Sequence, residues 1–284
     1  MTWKVAASVI FIFCLLTVFV GSANAQCDQC PGGDPPNDRA FKVIQRYEAE
    51  PLAYDHIRES DVFWSKKLWR VIYFGEKMNH PFAYPKEPFV GILLEAALNG
   101  ELRAYSPLTD DFSMQLSRED LEAKLWRVDT VPLFDMVYGD YIGDTVYYSE
   151  PDYTRFHKLM LLEEWVFDIE TSTMVCRILG MAPMRPFIDE YSGLTLGEET
   201  VCWIPYQEAR PIMVAHEAFN PFNDGVRRSW DDIMEMRFFS SLIVKESNVH
   251  DRFIQDYASG EDAVIESEEI KQELFRFEHE LWEY

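Results

Sequence analysis

The spacing of apolar residues predicts an α-helix over residues 59–76, where the first long pattern of the chain begins. The residues that recur at helical spacing are Val62, Phe63, Leu68, Trp69, Ile72 and Phe74. The sequence Asn79-His80-Pro81 ends this helix, because proline disfavours helical backbone at the residue before it. A second helix is predicted over residues 88–99, followed by the stop signal Asn99-Gly100.

The middle of the chain has a strand pattern instead. Residues 154–186 contain two strand-like runs around the turn-forming residues 168–173. Residues 200–218 resemble a third strand, and its two prolines suit an edge or bulged position. The other predicted elements are a helix capped by Ser117, a helix over 229–239, a strand over 240–248, a helix over 248–260 and a final helix from Val264. This order predicts a single α+β domain with N-terminal helices, a central, mostly antiparallel sheet and C-terminal helices.

The first 25 residues have the features of a secretory signal peptide. A positive charge at Lys4 precedes an apolar run that is short for a membrane span, and a small-residue site ends at Ala25. Lipidation of Cys27 is the alternative, which Gln26 before it disfavours. We therefore predict a signal peptide over 1–25, an extended Pro/Gly-rich arm over 26–50 and a folded domain over 51–284, exported and without a membrane span of its own.

Export changes the interpretation of the cysteines. Removal of the signal peptide leaves Cys27, Cys30, Cys176 and Cys202, an even number in an oxidising compartment. Cys176 and Cys202 each lie in a strand-like run, with a turn region between them. We expect these two residues to lie close together in space, where a disulfide could join them.

The charge and the motifs narrow the function classes. The chain has 284 residues and a formal net charge of −23, so nucleic acid and anionic lipid surfaces are poor partners. Such acidity suits docking onto a basic protein surface, or serves solubility alone. His216-Glu217 begins a zinc-protease signature, but Asn220 stands where the second histidine should be. Asp135, Asp140 and Asp144 could collect around calcium, although the alternating spacing of a calcium loop is missing. We predict no catalytic, cofactor-binding or metal-binding residues.

Three separated segments carry a family resemblance. Residues 57–85, 161–183 and 243–284 strongly resemble the GldN/PorN family, in the same order along the chain. The resemblance implies a non-enzymatic periplasmic subunit of the type IX secretion system of Bacteroidetes, and of gliding motility where that occurs. It also implies self-association in a ring with a GldK/PorK-like outer-membrane lipoprotein, and contact with the periplasmic part of a GldM/PorM-like motor protein. The alternatives are an exported enzyme acting on polysaccharide or peptidoglycan, and a monomeric periplasmic binding module.

Two sets of residues are candidates for binding these partners. If residues 59–76 are helical, Lys66, Lys67 and Arg70 form a basic strip that could meet acidic surface on a neighbouring subunit. On the final helix, one apolar stripe is predicted to dock the helix on its own domain; its members are Ile270, Leu274, Phe277 and Leu281. Phe275 and Trp282 project from another side and are the second candidate set.

Overall fold

The computed structural model describes residues 50–134, 141–188, 194–223 and 225–282. The predicted signal peptide, most of the arm, and Asp135 and Asp140 of the candidate calcium loop lie outside these ranges. None of the helices in the described ranges is long and apolar enough to cross a lipid bilayer.

The first long element of the described fold is a strand, so the prediction of a helix over 59–76 is wrong. Strand β1 spans Val62–Tyr73. In its first half the side chains alternate between partly buried residues, such as Trp64 and Lys66, and exposed ones, such as Phe63 and Lys67. That period of two is typical of a strand. At residues 68–70 both faces are buried, which hides the alternation in the sequence.

β1 lies inside a six-stranded antiparallel sheet. The other long strands are β4 (Lys158–Asp168), β5 (Thr173–Ile188), β6 (Thr195–Thr200) and β10 (Leu242–Glu246). The order across the sheet is β10-β1-β4-β5-β6, and the two-residue strand β7 (Ile204–Pro205) also pairs with β5. Separate two-stranded sheets are formed by β2 (Arg127–Phe134) with β3 (Tyr141–Ser149), and by β8 (Glu217–Ala218) with β9 (Arg228–Ser229). The predicted strand pair around residues 168–173 is confirmed as β4 and β5.

Five α-helices accompany the sheets in the described ranges. They are α1 (Phe89–Asn99), α2 (Arg118–Leu125), α3 (Tyr206–Ala215), α4 (Trp230–Glu235) and α5 (Glu261–Trp282). Ser117 caps α2 with Asp120, and Ser229 caps α4 with Asp232, each in a reciprocal capping box. Gly100 ends α1 at a φ of 81°, a left-handed conformation that glycine adopts without steric cost. The α+β fold class, with a central antiparallel sheet and helices toward both ends, is confirmed.

Two further predicted elements differ from the structure. Most of residues 200–218 form α3, between the two-residue strands β7 and β8, rather than one long strand, because Tyr206, Ala209 and Met213 recur at helical spacing and are all fully buried. Residues 248–260 contain only a three-residue 3₁₀-helix, Ile254–Asp256. There the side-chain amide of Asn248 donates to the carbonyl oxygens of Glu246 and Arg252, which competes with helix formation.

Two apolar clusters lie on one face of the sheet. The larger joins the sheet to α1, α3 and α4, and its centre is the group of contacting rings of Phe82, Phe89 and Trp230. The smaller packs α5 against β1 and β10 through Leu68, Ile243, Ile254, Ile270 and Leu274. On the other face, Trp69, Leu162 and Trp203 belong to a third cluster. Both faces of the sheet centre are therefore covered.

Candidate functional site

The structure separates the three predicted basic residues of β1. Lys66 and Arg70 share one face of the strand, and Lys67 lies on the other. Lys66 Nζ forms an ion pair with Glu246 Oε2 at 2.5 Å, whereas Arg70 is only 7% exposed. The prediction of a basic strip formed by Lys66, Lys67 and Arg70 is wrong, because it required a helix.

Arg70 instead belongs to a buried ionic centre around Glu163 of β4. The Glu163 side chain is completely buried. Arg70 Nε lies 2.9 Å from Glu163 Oε2, an ion-pair distance, although this N–H makes no hydrogen bond. Arg237 Nη2 donates to Glu163 Oε1 at 2.7 Å, and Trp165 Nε1 donates to Oε2 at 3.2 Å. Neighbours on the Arg70 face are Leu68 and Ile72, so the centre lies between the two apolar clusters of that face.

Arg237 reaches this centre from just beyond the end of α4. Its φ of 55° is left-handed, a conformation that costs a residue with a Cβ atom roughly 1 kcal/mol. The charge-assisted bond to Glu163 offsets that cost. Burial lowers the pKa of Arg70, and Glu163 only partly opposes this. For Arg237 burial acts in the same direction, but the interactions with Glu163 and Cys176 together outweigh it and the pKa is raised. The centre therefore joins the sheet to α4 with one shared carboxylate.

The two cysteines of the domain are free thiols, so the structure does not contain the predicted Cys176–Cys202 disulfide. Cys176 Sγ lies 3.1 Å from Arg237 Nη1 and 3.7 Å from Glu163 Oε2. Cys202 is fully buried in the larger apolar cluster. Burial, followed by the Glu163 carboxylate, raises the pKa of Cys176 to about 12, and burial raises the pKa of Cys202 to about 12. Both thiols stay protonated at neutral pH, which makes them poor nucleophiles and poor metal ligands.

A second buried ion pair connects α3 to α4. Arg210 is 4% exposed, and its Nε and Nη2 donate to the two carboxylate oxygens of Asp231 at 3.0 and 3.1 Å. The remaining terminal nitrogen, Nη1, donates to the carbonyl oxygen of Leu52 at 2.7 Å. This bidentate geometry is a strong form of the arginine–carboxylate interaction.

Arg210 also anchors the segment that precedes β1. The guanidinium carbons of Arg210 and Arg177 lie 4.3 and 3.9 Å from the ring centroid of Tyr54. The Tyr54 hydroxyl donates to Glu235 Oε1, and Arg177 Nη2 donates to the carbonyl oxygen of Asp55 at 3.4 Å. We call residues 52–55 the strap. It ends the predicted arm at a fixed point on the domain.

His216, the histidine of the incomplete zinc-protease signature, has a carboxylate as its partner. His216 Nδ1 lies 2.6 Å from Glu87 Oε1, and both side chains are substantially exposed. Within the described residues, no three His, Cys, Asp or Glu side chains are grouped so that they could hold a metal ion.

The last helix has one docked face and one outer face. Ile270 and Leu274 are buried in the smaller apolar cluster, and the Phe277 ring contacts Trp64 with centroids 4.8 Å apart. Leu281 is partly buried, as expected for the same stripe. Phe275 is 68% exposed and lies outside that stripe, as predicted. The side chain of Trp282, the other predicted residue, lies outside the described part of the structure.

A comparison with protein families identifies the chain. The model for the gliding motility associated protein GldN matches residues 57–283, from just before β1 to the end of α5. This chain belongs to the GldN family. The assignment based on the three resembling segments is thereby confirmed. No curated protein matches the chain.

The residues that form the buried ion pairs of this GldN family member were not recognised in its sequence. Glu163 was not among the candidate residues, yet it is fully buried. Arg237, Arg210 and Asp231 were not selected at all. One signal was available, since Arg70 interrupts an apolar run in β1 and an arginine in such a run needs a buried carboxylate.

Proposed function

We propose that this protein is a non-enzymatic structural subunit of the type IX secretion system, located in the periplasm and held at the outer membrane by a lipoprotein partner. The observation that carries the proposal is the GldN family match over residues 57–283. That family consists of gliding motility components and is not a known family of enzymes. The resemblance of the three segments extends the assignment to secretion and to the periplasm.

In this proposal the subunit associates with copies of itself and with a GldK/PorK-like lipoprotein in a ring. The ring contacts the periplasmic part of a GldM/PorM-like motor protein. Two features of the domain suit a subunit that transmits force. The buried ionic centre at Glu163 connects the sheet to the end of α4, and the Arg210–Asp231 ion pair connects α4 to α3. Arg210 also holds the strap through the carbonyl oxygen of Leu52.

Deleting the gene should abolish export of the secreted proteins that depend on this system, and gliding as well if the organism glides. The measurement is the protein composition of the culture medium, compared between the deletion strain and the same strain carrying the wild-type gene. Retention of a periplasmic marker protein in both strains is the control for envelope leakage. Unchanged secretion in the deletion strain would contradict the proposed function.

A further inference from the structure

The docked face of α5 is complete without its outer face. Ile270 and Leu274 bury the helix against the sheet. Ser267 is 4% exposed, and its hydroxyl oxygen accepts the backbone N–H of Ile243 at 2.9 Å. Ile243 lies in β10, the edge strand of the sheet, so α5 also satisfies an edge group that would otherwise be open. Folding therefore gives no reason for apolar residues on the outer face.

Apolar residues are nevertheless aligned there. Val264 is 52% exposed and Phe275 is 68% exposed. They are eleven residues apart, a separation that turns a helix by three turns and only about 20°. We call Val264 and Phe275 the outer stripe of α5.

The charge around the outer stripe selects the kind of partner. α5 carries eight carboxylates and two cationic side chains, Lys271 and Arg276, which leaves an excess of six negative charges. Lys271 Nζ is itself 3.3 Å from a carboxylate oxygen of Glu268. A second copy of α5, which carries the same excess of negative charge, would be repelled at this surface. An anionic lipid surface would be repelled in the same way.

We propose that the outer stripe of α5 docks onto a partner protein whose surface has an apolar socket for the Phe275 ring, surrounded by lysine or arginine. Large aromatic side chains at the centre of an interface contribute most of its binding energy, and the charged rim guides the encounter and excludes other partners. The inference rests on the proposed function, because it assigns one docking surface of the assembled subunit.

Site-specific cross-linking tests which surface is covered. A photoreactive phenylalanine derivative is placed at position 275 of the full chain in cells and, as the matched control, at Glu273. Glu273 is also exposed on α5, but points about 160° away from Phe275. We expect light-dependent products with a different protein at position 275, on a peptide rich in Lys and Arg, and few at position 273. Equal yields at both positions, no product at position 275, or a product containing two copies of this chain would overturn the inference.

Substitution measures the contribution of the ring. An affinity tag is inserted after Ala25, and binding is measured to the protein that cross-links at position 275. The Phe275→Ala variant should bind that protein about thirtyfold more weakly than the wild type, which is the effect of losing a central aromatic anchor. Added salt should weaken the binding of the wild type, because it screens the attraction between the acidic helix and the basic rim. Glu273→Ala and wild type should bind alike, and thermal melts should show all three domains equally stable. Unimpaired binding of Phe275→Ala beside an intact wild-type complex overturns this inference alone, whereas a wild type that forms no complex overturns the proposed function.

Discussion

Replacing Glu163 with alanine is expected to lower the free energy of unfolding by about 4 kcal/mol. The substitution leaves Arg70, which is 7% exposed, without its ion-pair partner. Arg237 is 30% exposed at the side chain and can turn toward water, but Arg70 lies between two apolar clusters and cannot. An uncompensated buried charge is among the most destabilising single changes in a protein core.

The neighbouring residue provides the control for this prediction. Glu164 lies on the opposite face of β4, partly exposed and directly across from Lys67 of β1. Glu164 is also directly across from Arg177 of β5. Glu164→Ala removes these partly exposed cross-strand charge pairs and should cost less than about 1 kcal/mol. Replacing Glu163 and Arg70 together with methionine should recover much of the stability lost in Glu163→Ala, because no unpaired charge is then left between the apolar clusters and Arg237, 30% exposed at the side chain, can turn toward water. Urea unfolding measures all three variants, and similar losses for Glu163→Ala and Glu164→Ala would show that the centre is not buried.

The second large effect is expected at Asp231. Asp231→Ala removes both carboxylate oxygens that hold the Arg210 guanidinium and should destabilise the domain by about 3 kcal/mol. Because Arg210 also holds Leu52 and the ring of Tyr54, we expect the strap to detach from the domain more often. Limited proteolysis with chymotrypsin, which cleaves after aromatic residues, should therefore cut the chain after Tyr54 faster in Asp231→Ala under native conditions.

Another ion pair of α3 gives the matched control. Glu208 lies two residues before Arg210 and pairs with Arg103, whose side chain is 59% exposed. Glu208→Ala should change the free energy of unfolding by less than about 1 kcal/mol and leave cleavage after Tyr54 unchanged, because exposed pairs are screened by water and salt. Cleavage after Tyr54 that is equally slow in Asp231→Ala and in the wild type would mean that Arg210 does not anchor this segment.

The elements that the sequence predicted correctly have local signals. The capping residue of α2, the turn between β4 and β5 and the docked stripe of α5 are each contained within about 20 consecutive residues. β1 has no such signal, because its central residues are buried on both faces and its apolar pattern fits a helix equally well. The two prolines of residues 200–218 were interpreted as marks of an edge strand, but Pro205 precedes the first turn of α3 and Pro211 lies inside that helix.

The residues of the candidate site also differ in whether local sequence could identify them. Phe275 could be identified from helical spacing alone, since both the docked stripe and the outer stripe belong to one helix. The Glu163 centre could not, because Arg237 lies 74 residues from Glu163 and only the tertiary fold brings them together. The cysteine prediction failed for a related reason: the fold places Cys176 at this ionic centre and Cys202 in the larger apolar cluster.

Electron microscopy of the native complex is the most direct test of the proposed ring assembly with a lipoprotein. The tagged wild-type protein is isolated from detergent-solubilised envelopes without reconstitution, and its co-purifying proteins are identified by mass spectrometry. We expect ring-shaped particles that contain many copies of this chain and a lipoprotein partner. A monodisperse monomer without that lipoprotein would contradict the proposed assembly.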